Sequence, residues 1–148
     1  MARRDDLWLR ELYEAQWAPM VRLATLLLGA AETAADVVSD AVLAVHQRRE
    51  QFESLDQAQQ YLRVSVLNRT RSAKRPVASA PAEQGVFAMI EALPQRQREV
   101  LVLRYYLELD ESDIARTLGI SRTAVSSHTH RALQSVRDTL TEVGARDD

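Results

Sequence analysis

Between Ser121 and Arg131 the sequence SRTAVSSHTHR gathers Arg122, Thr123, Ser126, Ser127, His128, Thr129 and Arg131. Side chains of these types donate hydrogen bonds to base edges and to phosphates, so the chemistry on offer is recognition of duplex DNA. What must position them is written just upstream. In DESDIARTLGISRTAVSSHTHRAL, Ala115, Gly119 and Val125 stand at the separations of a helix-turn-helix. A small residue lets two helices approach, a glycine makes the tight turn, and a β-branched residue locks the second helix on the first. Ile114, Leu118 and Ile120 complete the apolar surface. Ser121 is placed to N-cap the second helix, and Asp110 with Asp113 to cap the first. An ordinary helical hairpin is the alternative, because Ala-x3-Gly-x5-Val is a short pattern. His128 and His130 do not make a metal site: two residues apart on a helix they point in different directions, and no cysteine or third histidine lies nearby. No metal or other cofactor is expected.

The formal charge of −2 over 148 residues hides segregation. Residues 1–60 balance at −4, and residues 61–75 at +5, with Arg63, Arg69, Arg71, Lys74 and Arg75 and no acid. Residues 76–120 balance at −3, and residues 121–137 carry three Arg and two His, again without an acid. Two cationic patches on otherwise acidic modules suggest one extended polyanion touched twice. The chain has no cysteine, hence no disulfide and no thiolate metal site. Its longest apolar run, LATLLLGAA, is far short of a membrane span, and no export signal is visible, so a cytoplasmic protein without membrane association is expected. An enzyme is not: no Ser-His-acid arrangement can be argued, and four glycines make no phosphate loop.

Helical periodicity runs almost throughout and strand signals are nearly absent. The reading is all-α: two small helical domains, 1–75 and 85–148, joined by a short linker, PVASAPAEQ, at 76–84. A first helix begins near Asp6 with Leu7, Leu12 and Trp8 on its inner side, and Pro19 interrupts the pattern and starts a second that ends near Gly29. A third spans Glu32 to Gln51. QFESLDQ reads as a loop, with Asp56 capping a fourth helix that reaches Arg75. Beyond the linker come a short helix ending near Leu93, a turn at Pro94, a helix from Gln95 to about Leu107, and the helix-turn-helix, running on to about Glu142.

Over most of its length, from about Leu12 to Arg137, the chain resembles the extracytoplasmic-function sigma factors, the small branch of the sigma-70 family of bacterial RNA polymerase subunits. The most specific part is ALPQRQREVLVLRYYLELDESDIARTLGISRTAV, closed by RALQSVR; AADVVSDAVLAV and YLRVSVLNRTRSAKR are similar to the family's polymerase-binding and promoter-melting helices. The resemblance implies that Asp36, Asp40 and Leu43 dock on the clamp of the largest polymerase subunit, a plain acidic surface being the alternative, and that the C-terminal domain meets the flap region. It implies that the loop Phe52, Glu53, Ser54, Leu55, Asp56 holds a base flipped from the −10 strand. Tyr61, Arg63, Asn68, Arg69, Arg71, Lys74 and Arg75 would follow that strand, aromatic faces stacking on bases and cations tracking phosphates. A core aromatic is the competing, and favoured, reading of Tyr61. Arg122, Thr123, Ser126, Ser127, His128 and Arg131 would approach the −35 duplex, with an Arg131–Glu99 ion pair as the competing use of that arginine.

The sequence also departs from the family. Ser126-Ser127-His128 stand where Lys-Ser-Arg is usual, Ala35 replaces an acid and Val42 an aromatic. Nine linker residues reach at most about 30 Å; with ~10 Å of radius added by each domain, that reach is sufficient but taut for two elements roughly 60 Å apart on B-form DNA. The implied partners are core polymerase, promoter DNA in duplex and single-stranded form, and an anti-sigma factor of the kind family members often have, which no residue here identifies. A free-standing helix-turn-helix regulator and a sigma-like decoy that binds polymerase without opening promoters are the competing readings.

Overall fold

The computed structural model describes the backbone of residues 2–73 and 86–146. The described residues form helices and turns without a strand, and the chain divides into two compact units, Met1–Pro76 and Val77–Asp148. The linker at 76–84, with Lys74 and Arg75, lies outside the described residues.

In the first unit α1 (Ala2–Leu28), α2 (Ala31–Gln47) and α3 (Leu55–Ser72) pack pairwise against one another. α2 shows why: Ala34, Val37, Val38, Ala41 and Val45 are buried at helical spacing, and the alanines leave room for close approach. Against them stand Leu12, Met20, Leu23, Ala24, Leu27 and Leu28 of α1 and Ala58, Leu62, Val66 and Leu67 of α3. Two expectations are corrected here. α1 is one helix through Pro19, not two. Interior proline costs about 3 kcal/mol, but Leu12 on one side of it and Met20, Leu23 and Leu27 on the other bury on one stripe. Burial of several such side chains, at roughly 1.5–3 kcal/mol each, outweighs that cost. Leu7, in turn, is 56 % exposed rather than inward. The helix stops where expected, at Gly29 with φ 83°.

In the second unit α4 (Val86–Ala92), α5 (Gln95–Leu101), α6 (Glu111–Leu118) and α7 (Arg122–Arg146) bury Leu93, Val100, Leu103, Ile114, Val125 and Ala132. α5 does not run on as an α-helix. It widens into a π turn at Val102–Tyr106, where Leu107 N–H donates to Val102 O at 3.3 Å, and Glu108 takes φ 57° at the exit. The joint between α4 and α5 is held by Arg98. Its buried guanidinium donates to Ile90 O (3.2 Å), Glu91 O (3.3 Å) and Leu93 O (2.9 Å), satisfying carbonyls that the end of α4 leaves open. Next to it the buried carboxylate of Glu99 accepts from Arg96 at 3.3 Å.

Candidate nucleic-acid interface

The helix-turn-helix is built as its residue types require. Asp110 Oδ1 accepts from Asp113 N–H (2.8 Å) and so caps α6. Gly119 ends α6 in the left-handed conformation, φ 68° and ψ 35°, while Ile120 N–H closes the turn onto Ala115 O (3.1 Å). Ser121 Oγ then accepts from Ala124 N–H (3.0 Å) to start α7. Ala115 and Val125 are both buried in the crossing.

This leaves one arc of α7 facing outward. Arg122, Thr123, Ser126, Ser127 and Arg131 are exposed. At roughly 100° per residue, Arg122, Ser126 and Thr123 bracket the centre of the arc and Arg131 marks its edge. Arg131 does not pair with Glu99, which Arg96 holds instead. His128 sits differently: it falls on the flank of Val125 and Ala132, is half-buried, and its buried Nδ1 meets no hydrogen-bond partner among the described residues. Thr129 is lost to base contact as a donor, since its hydroxyl donates to Val125 O (2.7 Å). His130, weighed in the sequence only with His128 as a metal ligand or a surface or phosphate contact, is exposed near the middle of the arc.

In the first unit, the connection between α2 and α3 sits earlier than its sequence suggests, because α2 ends at Gln47 and not at Gln51. A single 3-10 turn at Arg49–Gln51 lies within it, and α3 already begins at Leu55. The cap is Ser54, not Asp56: Ser54 Oγ accepts from Gln57 N–H (3.1 Å), while Gln57 Oε1 reaches back to Glu53 N–H (2.7 Å). This reciprocal pair is a variant of the capping box, and it fixes the loop. Tyr61 is half-buried; Phe52 packs on it at 5.4 Å between ring centroids, and the Arg48 guanidinium lies 5.3 Å from its centroid. Tyr61 thus acts as a buttress for Phe52, with Arg48 a cation the sequence reading overlooked.

Further along α3, Arg69 Nε donates to Ser65 Oγ (3.1 Å) and Arg71 Nη1 to Asn68 Oδ1 (3.1 Å). These bonds orient the two guanidiniums along the helix. Tyr61, Asn68 and Arg71 fall toward one side of α3, with Arg63 on one flank of it, bonded to Gln60 Oε1 (3.2 Å), and Arg69 on the other. On α2, Asp36, Asp40 and Leu43 share an outward stripe opposite the buried one, and Leu43 is 53 % exposed. Leu43 also borders a groove of about 610 Å³ that Leu9, Leu12, Tyr13, Val42 and Leu62 make largely apolar.

With this geometry described, comparison with known proteins gives three findings. The family described as "Sigma-70, region 4" matches residues 84–136. That match takes in α4, α5 and the helix-turn-helix. Two curated relatives align over the same scale: RNA polymerase sigma factor SigF of Mycobacterium tuberculosis, 42 % identical over 52 residues, and ECF RNA polymerase sigma factor SigD of Mycobacterium bovis, 38 % identical over 56 residues. These alignments take in 35 % and 38 % of this chain. They span only 20 % of SigF and 26 % of SigD.

Among solved structures, CnrH in complex with the cytosolic domain of CnrY superposes with a TM-score of 0.79 at 23 % identity, over 90 % of this chain and 88 % of that one. The sigma factor RpoE of Bartonella quintana, in complex with the anti-sigma factor NepR, gives 0.75 at 18 %, over 89 % and 96 %. The resemblance to the extracytoplasmic-function sigma factors therefore stands, in sequence over the region 4 domain and in fold over most of the chain. No described helix is long and apolar enough to cross a membrane.

Proposed function

We propose that the chain is a promoter-specificity subunit of RNA polymerase, acting in the cytoplasm and not itself a catalyst. The observation that carries this is the pairing, on one chain, of a capped helix-turn-helix with an outward polar arc and a second unit whose α3 displays oriented arginines behind a rigid aromatic loop. The region 4 domain reads the −35 duplex from the major groove with Arg122, Thr123, Ser126, Ser127 and Arg131, and His130 joins them. Phosphate contacts fix its register, and base contacts specify the sequence. In the first unit Asp36, Asp40 and Leu43 dock on core polymerase. The loop Phe52–Asp56 captures an unpaired base while Asn68, Arg69 and Arg71 follow the strand, with Lys74 and Arg75 continuing that track. Capture opens the duplex because a held base and its stacked neighbours offset a few kcal/mol of unstacking and unpairing. An anti-sigma partner belongs to the same reading, since one of the solved relatives was captured with such a protein.

One observation favours a second reading, a decoy that binds polymerase without opening promoters. Ser126-Ser127-His128 bring no full cation to the duplex, and His128 is turned partly into the domain. Core polymerase, the purified chain and a library of promoter fragments separate the cases. Transcripts from particular sequences support the specificity subunit, and core binding without transcripts supports the decoy. Duplex binding without core supports a free-standing regulator.

A further inference from the structure

The loop that follows α2 does not form its cavity alone. A pocket of about 200 Å³ opens beside it, lined by Phe52, Glu53, Ser54 and Leu55 and also by Trp8 of α1. Trp8 lies more than forty positions away in sequence and is half-buried. The loop's backbone is fixed by Gln57, with Glu53 N–H donating to Gln57 Oε1 and Ser54 Oγ accepting from Gln57 N–H. The pocket thus offers a guest two aromatic side chains, Phe52 and Trp8, with the Glu53 carboxylate and the Ser54 hydroxyl at its wall. One aromatic wall, Phe52, is held from behind by Tyr61, itself covered by Arg48. The other is the indole of Trp8. A flat heterocycle suits a slot of this size and lining, and the arginines of α3 in the same unit supply the charge that a strand of phosphates needs.

We infer that Trp8 is a positioning residue for the captured base: its indole closes the pocket against Phe52 and stacks on the unpaired base of the promoter strand. This deepens the proposed function and rests on its reading that the loop takes up such a base. Trp8 extends the site to the first helix of the chain, so strand capture depends on how α1 is seated, not on the loop alone.

The test uses holoenzyme reconstituted from core polymerase and the full chain, with single-stranded −10 oligonucleotides carrying 2-aminopurine at one position at a time. One position should show fluorescence quenching on binding. Trp8→Ala should abolish that quenching and weaken strand affinity about tenfold, within the range that loss of one stacking contact produces. Trp8→Phe, which keeps an aromatic face, should restore most of both, while core binding and duplex −35 binding stay unchanged in either variant. Phe52→Ala serves as the control for the loop. If Phe52→Ala loses the quenching but Trp8→Ala keeps it at full affinity, the role of Trp8 is overturned and the loop reading survives. If neither variant alters quenching or affinity, base capture by this pocket is itself refuted.

Discussion

In the C-terminal unit the functional side chains stand on a single helix whose start is set by neighbouring backbone chemistry: Asp110 caps α6, Gly119 turns left-handed, and Ser121 caps α7 within eleven residues of one another. In the N-terminal unit the proposed site also draws on a distant part of the chain: Phe52 packs on Tyr61, Arg48 lies over Tyr61, and Trp8 of α1 lines the same pocket as Phe52. A surface built the first way suits a ligand of fixed shape such as duplex DNA, because local geometry sets the spacing of donors once. A surface built the second way can enclose a guest, as a base withdrawn from its stack requires. Its precision then depends on the packing of three helices.

The two modes of construction should fail differently. The largest effect is expected at Arg98, whose guanidinium binds three carbonyls at the end of α4. Arg98→Ala should destabilise the C-terminal unit by about 3 kcal/mol, since it empties a buried side-chain site and takes the guanidinium from the buried Leu93 carbonyl and the part-buried Glu91 carbonyl. Thermal unfolding followed with −35 duplex binding should show that unit melting early, while polymerase binding through the first unit persists. Next is Arg131→Ala, which should cost about 1–3 kcal/mol of discrimination at one base pair of the −35 element if the contact is bidentate to guanine. A uniform loss across sequences, with a shallower salt dependence, would assign Arg131 to a phosphate instead.

Gly119→Ala isolates the turn. An added Cβ would meet nothing within 4 Å, so the only cost is the left-handed backbone, about 1–2 kcal/mol. Denaturant titration of the full chain should detect it without loss of native DNA contacts. The smallest pair sharpens the comparison most. Ser121→Ala and Ser54→Ala remove equivalent caps, each worth about 1 kcal/mol. The first should lower stability and duplex affinity together. The second should loosen the loop and lower strand affinity more than stability, because Ser54 also fixes the pocket through Gln57.

How far each region could be read from its residues follows the same division. The helix-turn-helix was legible because every position carries a local requirement: a small residue at Ala115, a positive φ at Gly119, a cap at Ser121. α1 was not, because Pro19 argues for a break and only the burial of Leu12, Met20, Leu23 and Leu27 on one stripe overrides it. The start of α3 was misplaced by two residues since Ser54 and Asp56 are both good caps, and the Ser-x-x-Gln box that decides between them went unread. Arg98 looks in sequence like any surface arginine, and nothing near Trp8 hints at Phe52. His128 and His130 exchange prominence for a simpler reason: α7 turns the first toward Val125 and the second toward solvent.

The short linker sharpens the comparison from outside either unit. If it limits their separation, transcription should fall steeply when the promoter spacer is altered by one or two base pairs, and a flat response would count against that limit.

The central claim, that one nucleic acid is gripped as duplex by the C-terminal unit and as an opened strand by the first, is tested most directly by permanganate footprinting. Holoenzyme carrying Arg69→Glu and Arg71→Glu should still bind the −35 duplex but leave the thymines of the −10 element unreactive. Reactive thymines at the level of the unaltered protein would contradict it.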